Sequence, residues 1–486
     1  MAPGSRAPSL RSLAVELGVA RGTVVAAYDR LIGEGYLTAR GTAGTFVADH
    51  LPGSGPTAAT AATAATPAAT AAIAPQAFSG SAGSARPATR ARAVPPIPAR
   101  AAGVLDSPGA GPLPLQPGLP ALDAFPRKVW ARLVAIQARR MDSLMKPDPF
   151  GLPRLREALA VYLHRSRGVQ AHARQVFVVP GYEPGLSMAV DALLERGDAA
   201  AVEDPSYPPT ASVLRRHGIE PVPVPVDAAG LDVGALNGLP GGARLAVITP
   251  SHQSPTGVVL SLQRRTALLE WATATGAWLF EDDYDGEFRY DGPPPPALKA
   301  LDRQGRVVYA GTLSKVLYPG LRLAYLVVPP SLVERFEQAS RAAMTGGCPT
   351  LMQEVVADFI EQGHFARHIK RMRSLYASRR AWLLAALKPH EAHGLSCANH
   401  RGGMHVTITL PDGVDDARLA RAALQAGMSV QALSDWRLRR GGPPGLLASF
   451  TNIVSPQAAE EAVTRLIAAL GIKGRPSTRQ RRGAPV

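Results

Sequence analysis

Cysteine is almost missing from this chain. Cys348 and Cys397 are the two in 486 residues, too few for a disulfide framework, and there is no CxxC pair or His/Cys cluster to suggest a metal. Long apolar runs are missing as well. None reaches the ~18 residues of a membrane span, and the opening MAPGSRAPSL has no signal-peptide core. The two cysteines suit a reducing cytoplasm. Acidic residues are the scarcer charge, with 38 Asp and Glu against 53 Lys and Arg, a net charge of +15. Residues 1–50 contribute +1, residues 51–112 +3, the tail 473–486 +5 and residues 113–472 the remaining +6. Such a balance is compatible with nucleic acid, but charge alone does not say which part would bind it. The length leaves room for two or three domains and a large core.

What is present centres on residues 281–322. Apolar runs ending at Phe280 and at Ala310 read as buried parallel strands. Glu281-Asp282-Asp283-Tyr284 follows the first, and Gly311-Thr312-Leu313-Ser314-Lys315 follows the second. In an open α/β sheet, ligands bind at that strand edge. Taken singly, Lys315 is an ordinary loop lysine and Asp282 a helix cap. Together with Arg322 they match one chemistry. A lysine can form a Schiff base with an aldehyde cofactor, an acid can pair a pyridinium nitrogen, and an arginine with hydroxyls can hold a phosphate. The cofactor so described is pyridoxal 5′-phosphate (PLP).

Residues 8–50 read as helix, tight turn, helix and hairpin. Ser9 can cap a helix with Leu10, Leu13, Ala14 and Leu17 on one face, which Gly18 ends. A second helix from Arg21 to Glu34 carries Val24, Ala27, Tyr28, Leu31 and Ile32, and Gly35 stops it. Residues 36–40 and 45–48 flank Gly41-Thr42-Ala43-Gly44 as a β-hairpin. This is a winged helix-turn-helix pattern. Pro8-Ser9-Leu10-Arg11, LAVELGVARGTVVAAYDRLIGEGYL and GTAGTFV resemble the DNA-binding domain of the GntR family in its MocR-type members. The resemblance implies that Arg11, Arg21 and Thr23 contact phosphates and base edges, with the wing at Thr42 and Gly44 near the minor groove. The family has a further helix before the Pro-Ser motif. Only seven residues precede Pro8, so the first helix is missing and a start upstream of Met1 is expected.

Residues 51–112 are rich in Ala, Thr and Pro and poor in large apolar residues. Such a stretch cannot bury enough surface to fold and reads as a disordered linker spanning about 40–50 Å. From Leu113 strand and helix signals alternate, predicting an α/β domain with a mainly parallel sheet over 113–472, followed by the basic tail. TPSHQSPTG, FEDDYDGEFRYDG and YAGTLSKVLYPGLRLAYLVVP resemble the fold-type I aminotransferases, in the form found in MocR-type regulators.

That resemblance implies roles. Lys315 corresponds to the internal-aldimine lysine and Asp282 to the acid on the pyridine nitrogen, with Asp283 the alternative. Tyr284 corresponds to the phenol on the ring hydroxyl, and Tyr207 to the aromatic stacked on the ring. Thr312, Ser314 and Arg322 correspond to phosphate ligands, as do the backbone amides at Gly181 and Tyr182. Four departures stand out. Glu183-Pro184 replaces the glutamines of the phosphate loop, and Glu183 would repel a phosphate if it pointed inward. Lys146 stands where a tyrosine reaches the partner subunit's phosphate. Ser254 replaces the Asn before Pro-Thr-Gly. Leu447 occupies the place of the arginine that clamps a substrate α-carboxylate, a role for which Arg437, Arg439 or Arg440 could substitute.

The expected protein is a dimeric, cytoplasmic, PLP-dependent transcriptional regulator that binds double-stranded promoter DNA and senses an amino compound or PLP itself. Two alternatives stay open. One is an active aminotransferase with a vestigial DNA-binding domain, against which Leu447 argues. The other is a DNA-binding protein whose PLP site has decayed.

Overall fold

Ser9 caps the first helix, α1 (Leu10–Glu16), by accepting a hydrogen bond from the Ser12 amide at 3.0 Å. In this computed structural model the described residues are 3–33, 36–39, 44–48, 111–239, 241–290, 292, 295–343, 347–397 and 402–471. Most of the expected linker, the tail 473–486 and Thr42 lie outside them. A turn at Gly18 leads to α2 (Arg21–Gly33), and β1 (Leu37–Ala39) pairs antiparallel with β2 (Thr45–Val47). Ala14, Val24, Tyr28, Leu37 and Val47 bury together, which ties both helices to the hairpin. The Tyr28 hydroxyl donates to the Pro8 carbonyl at 2.7 Å, fixing the entry to α1.

The larger part is a sheet with helices on it. After α3 (Arg127–Gln137) and α4 (Pro153–Arg167) come β3 (Val176–Val179), α5 (Tyr182–Leu193), β4 (Ala199–Asp204), α6 (Pro208–Arg216) and β5 (Glu220–Asp227). Next are β6 (Gly230–Leu231), α7 (Val233–Leu236), β7 (Leu245–Ile248), α8 (Leu262–Thr275), β8 (Trp278–Asp283), α9 (Leu298–Leu301), β9 (Val307–Thr312) and β10 (Ala324–Val327). The strand order is β3-β10-β9-β8-β7-β4-β5-β6. Strands β9, β8, β7, β4 and β5 run parallel, and β10 runs against its neighbours. The central strands are buried on both faces, as their Val-, Ala- and Leu-rich sequences require. Their shared direction brings the ends of β4, β7, β8 and β9 to one edge, as the alternation of strand and helix signals predicts.

Helices α10 (Val333–Ala343), α11 (Thr350–Glu361) and α12 (His364–Leu387) lead to a second sheet. Its strands are β11 (Ser396–Cys397), β12 (His405–Thr409), β13 (Gln431–Ala432) and β14 (Gly445–Ser449), in the order β11-β12-β14-β13. Helices α13 (Asp416–Gln425) and α14 (Pro456–Ala469) complete it. Among the described residues no helix is long and apolar enough to cross a membrane.

Glu203, near the end of β4, ties the sheet to the turn after β7. Its buried carboxyl accepts from the Thr249 amide at 3.1 Å, from the Thr249 hydroxyl, and from Gln253 Nε2 at 3.2 Å. Burial pushes the Glu203 carboxyl up from 4.5 to about 7, against these donors. The folded state therefore holds a proton that the unfolded chain gives up near pH 4.5. The sign follows: Glu203 contributes its full stability below pH 4.5 and loses it as pH rises toward about 7, by ~3 kcal/mol. Glu203→Gln should narrow the difference in melting temperature between pH 5 and pH 8, measured by circular dichroism; an unchanged difference would show that Glu203 is ionised in the folded protein across that range.

Candidate cofactor site

The edge formed by β8 and β9 opens into a cavity of about 550 Å³. Asp282, Tyr284, Thr312, Ser314, Lys315, Arg322, Gly181, Tyr182 and Tyr207 all line it, so every cofactor residue expected from the sequence meets in one place. The second sheet closes the opposite wall with His405, Gln431, Trp436 and Leu447.

Strand alternation separates the two candidate acids. Adjacent residues of β8 point to opposite faces. Asp282 faces the cavity, and Asp283 faces away into a buried ion pair with Arg167 at 2.7 Å, where it also accepts from the Tyr309 hydroxyl at 2.7 Å. Burial raises the pKa of Asp282, and the nearby Asp283, Asp285 and Glu203 add to this; Lys315 opposes it. Burial lowers the Lys315 amine, an effect that Asp282 and Asp285 oppose. The amine donates to the Gly118 carbonyl at 3.0 Å. A Cβ on Gly118 would lie 2.8 Å from Nζ, and its φ is +81°, so the contact needs glycine.

Around the opposite end of the cavity the groups are cationic or donating. Gly181 (φ +143°) precedes α5, and a Cβ there would stand 3.2 Å from the Arg322 guanidinium. The first amides of α5 have no acceptor inside the helix. The Ser314 hydroxyl is buried without a hydrogen-bond partner, while its amide donates to Thr312 Oγ1 at 3.2 Å. A phosphate satisfies all of these donors at once. Among the described residues no donor bonds the Asp282 carboxylate, and a pyridinium N–H would supply one. Tyr207 stands edge-on to Tyr182 (centroids 5.5 Å) and near Trp436 (5.8 Å), leaving a flat aromatic wall on the cavity. The donor set therefore fits PLP, which supplies an aldehyde and an electron-withdrawing ring when bound.

The departures acquire structural reasons. Glu183 turns to Arg216 at 3.2 Å, which offsets the repulsion expected if it faced a phosphate. Leu447 is buried in β14, between Thr407 and Gln431, and presents an alkyl group to the cavity. Arg437 donates to the carbonyls of Gly441 and Pro443, and Arg439 to that of Pro223, so neither replaces the missing clamp. Arg440 and Lys146 are exposed, and neither lines the cavity. Arg421, from α13, does line it and was not foreseen. His252 and Asp285 were also missed, although both lie inside the sequence blocks TPSHQSPTG and FEDDYDGEFRYDG; only their convergence on Tyr284 reveals them. Of the residues expected at DNA, Arg21 and Thr23 are exposed at the start of α2, Arg11 lies in α1, Gly44 opens β2, and Thr42 is outside the described residues.

The two acids make a paired prediction. Asp283→Asn leaves Arg167 buried without its counter-charge and should cost about 3–5 kcal/mol of stability. Asp282→Asn should change stability by less than about 1 kcal/mol yet weaken PLP loading, measured from visible absorbance. The reverse pattern would exchange their roles.

Comparison with known proteins agrees with this architecture. Residues 124–466 match the family of class I and II aminotransferases, and residues 1–47 match the gntR family of bacterial regulatory proteins. The chain is 35% identical to the probable rhizopine catabolism regulatory protein MocR of Rhizobium meliloti, over 95% of this chain and 88% of that one. It is 33% identical to the pyridoxine biosynthesis transcriptional regulator PdxR of Corynebacterium glutamicum, over 93% and 88%. Among solved structures it resembles a kynurenine aminotransferase of Pyrococcus horikoshii, in complex with PMP, at a TM-score of 0.68 and 27% identity, covering 75% of this chain and 93% of that one. The chain is a member of the MocR-type GntR family of transcriptional regulators, in which a DNA-binding winged helix-turn-helix is joined to a fold-type I aminotransferase-like domain.

Proposed function

We propose that residues 113–472 hold PLP as part of a sensor, and that residues 1–50 read promoter DNA in response. Leu447 carries this reading. The cavity keeps what is needed to hold the cofactor but has an alkyl group where an α-carboxylate would be clamped. Orientation of a substrate amino acid is a large part of catalysis, so a site without the clamp is better suited to registering an amine than to turning one over.

In this reading Lys315 is the group that binds the cofactor aldehyde. Its lowered pKa favours the neutral amine needed for attack. Asp282 holds the proton of the ring nitrogen. Tyr284 bonds the ring oxygen, and Tyr207 covers a ring face. Thr312, Ser314, Arg322 and the amides at Gly181 and Tyr182 hold the phosphate. The effector is a small amino compound or PLP itself, in keeping with a relative that regulates pyridoxine biosynthesis. At the other end of the chain, Arg11, Arg21, Thr23, Thr42 and Gly44 face the duplex, where the first turn of α2 offers side chains to bases and phosphates. The protein works as a cytoplasmic homodimer, and Lys146 reaches the phosphate of the partner. Exposed Met141, Leu144 and Met145, beside Lys146, are an apolar surface for that second copy.

Coupling requires a ligand whose affinity differs between the two arrangements of the protein. The test is fluorescence anisotropy on a duplex carrying the promoter region beside the chain's own gene. Adding PLP, or an amine to the PLP-loaded protein, should shift DNA affinity for the wild type. Lys315→Ala should bind DNA as the unloaded protein does and lose that shift. Arg21→Ala should weaken binding and flatten its salt dependence by roughly one unit of slope. A shift that survives Lys315→Ala would overturn the role of Lys315, and no binding to any site in the region would overturn the DNA-reading assignment.

A further inference from the structure

A buried histidine stands behind Tyr284, away from the groups expected to touch the cofactor. His252 lies in the turn after β7 and is 4% exposed. Its Nδ1 is 3.0 Å from the Tyr284 hydroxyl and 3.2 Å from Asp285 Oδ2, a carboxylate that is itself 1% exposed. Ser254 and Asp285 also stand within bonding reach of the Tyr284 hydroxyl. The other face of the imidazole meets the second sheet. A Cβ on Gly403 would fall 1.9 Å from His252 Cε1, and the His405 ring lies 5.2 Å away with its Nε2 directed to the Pro255 carbonyl.

The placement of the ring selects its tautomer. His252 Nε2 is buried with no hydrogen-bond partner. A proton on Nε2 would be an unsatisfied buried donor, which burial penalises. A proton on Nδ1 instead points at the Tyr284 oxygen, 3.0 Å away, while Asp285 Oδ2, 3.2 Å off, receives no hydrogen bond. The ring therefore carries its proton on Nδ1, and it donates toward Tyr284. The phenol oxygen then accepts from one side and keeps its own proton to donate. Tyr284 lines the cavity, so a ring oxygen bound there is an acceptor for that proton, in competition with Asp285.

We propose that His252, held in place by the close approach of Gly403, is a positioning residue that fixes the Tyr284 hydroxyl as a donor into the cavity and so sets the proton affinity of the loaded PLP site. This rests on the reading of the cavity as a PLP site. A hydroxyl donating to the ring oxygen stabilises the anion of that oxygen, so the loaded site gives up its proton at lower pH. Removing the donor moves the midpoint up.

The measurement is a pH titration of the visible absorbance of the PLP-loaded full chain. His252→Leu should raise the midpoint by about one pH unit, a roughly tenfold change in proton affinity. Tyr284→Phe should move it the same way, and adding His252→Leu to Tyr284→Phe should move it no further. His252→Asn places an amide N–H near the position of Nδ1 and should restore the wild-type midpoint. A loaded His252→Leu protein with an unmoved midpoint overturns the proposal, as does an equal shift in the Tyr284→Phe background. If His252→Leu does not fold, His252→Ala and His252→Asn decide it: a raised midpoint in the first and an unchanged one in the second support the proposal, and any other pair overturns it. A wild-type protein with no visible band would instead overturn the PLP reading, and the role of His252 with it.

Discussion

Arg167 and Asp283 form an ion pair in which both side chains are 1% exposed. The guanidinium also donates to Ser251 Oγ at 2.6 Å and to the carbonyls of Gly286 and Pro295. One arginine at the end of α4 thus holds β8, the turn after β7 and the loop after β8 together. Two charges withdrawn from water are costly unless paired, and this pairing favours one orientation of β8 about its axis. In that orientation Asp283 meets Arg167 and Asp282 meets the cavity. A flip would carry Asp283 away from both Arg167 and Tyr309, and this constraint is what the geometry of the site depends on.

The same economy recurs around the cavity. Glu203 fixes the turn that carries His252 and Ser254. Glu281 accepts the Leu298 and Lys299 amides at 2.8 and 2.7 Å, anchoring the start of α9. Glu281, Asp282 and Asp283 are consecutive in sequence, and each has a different partner: helix amides, the cavity and an arginine. The single strand β8 therefore distributes three carboxylates to three tasks. Opposite it, the second sheet contributes an apolar side chain, Leu447, and α13 contributes the cation Arg421. The chemistry-bearing side of the cavity and its recognising side differ in how closely they follow the aminotransferases.

Much of this was legible in the sequence because it is local. Apolar runs ending in carboxylates or in Thr-Leu-Ser-Lys mark strand ends, and strand ends in a parallel sheet converge. The helices and the hairpin after Gly35 follow from patterns a few residues long, and the nine expected residues that line the cavity follow from the resemblance of their sequence blocks to the fold-type I aminotransferases. Glu183, by contrast, reads as a repulsive neighbour of a phosphate until Arg216, thirty-three residues later, is seen beside it. His252 reads as one residue of a motif until Tyr284, thirty-two residues on, and Gly403 close around it.

The sequence by itself determined the chemistry available: a lysine, an acid, an arginine and hydroxyls at strand ends, a winged helix ahead of them, and a leucine in place of a cation. Alternation along β8 required Asp282 and Asp283 to part but could not say which faced inward. Only the tertiary structure decided that, because the deciding partners, Arg167 and Tyr309, come from other elements of the chain. Local pattern fixes the period of a strand, while long-range charge pairing and burial fix its phase.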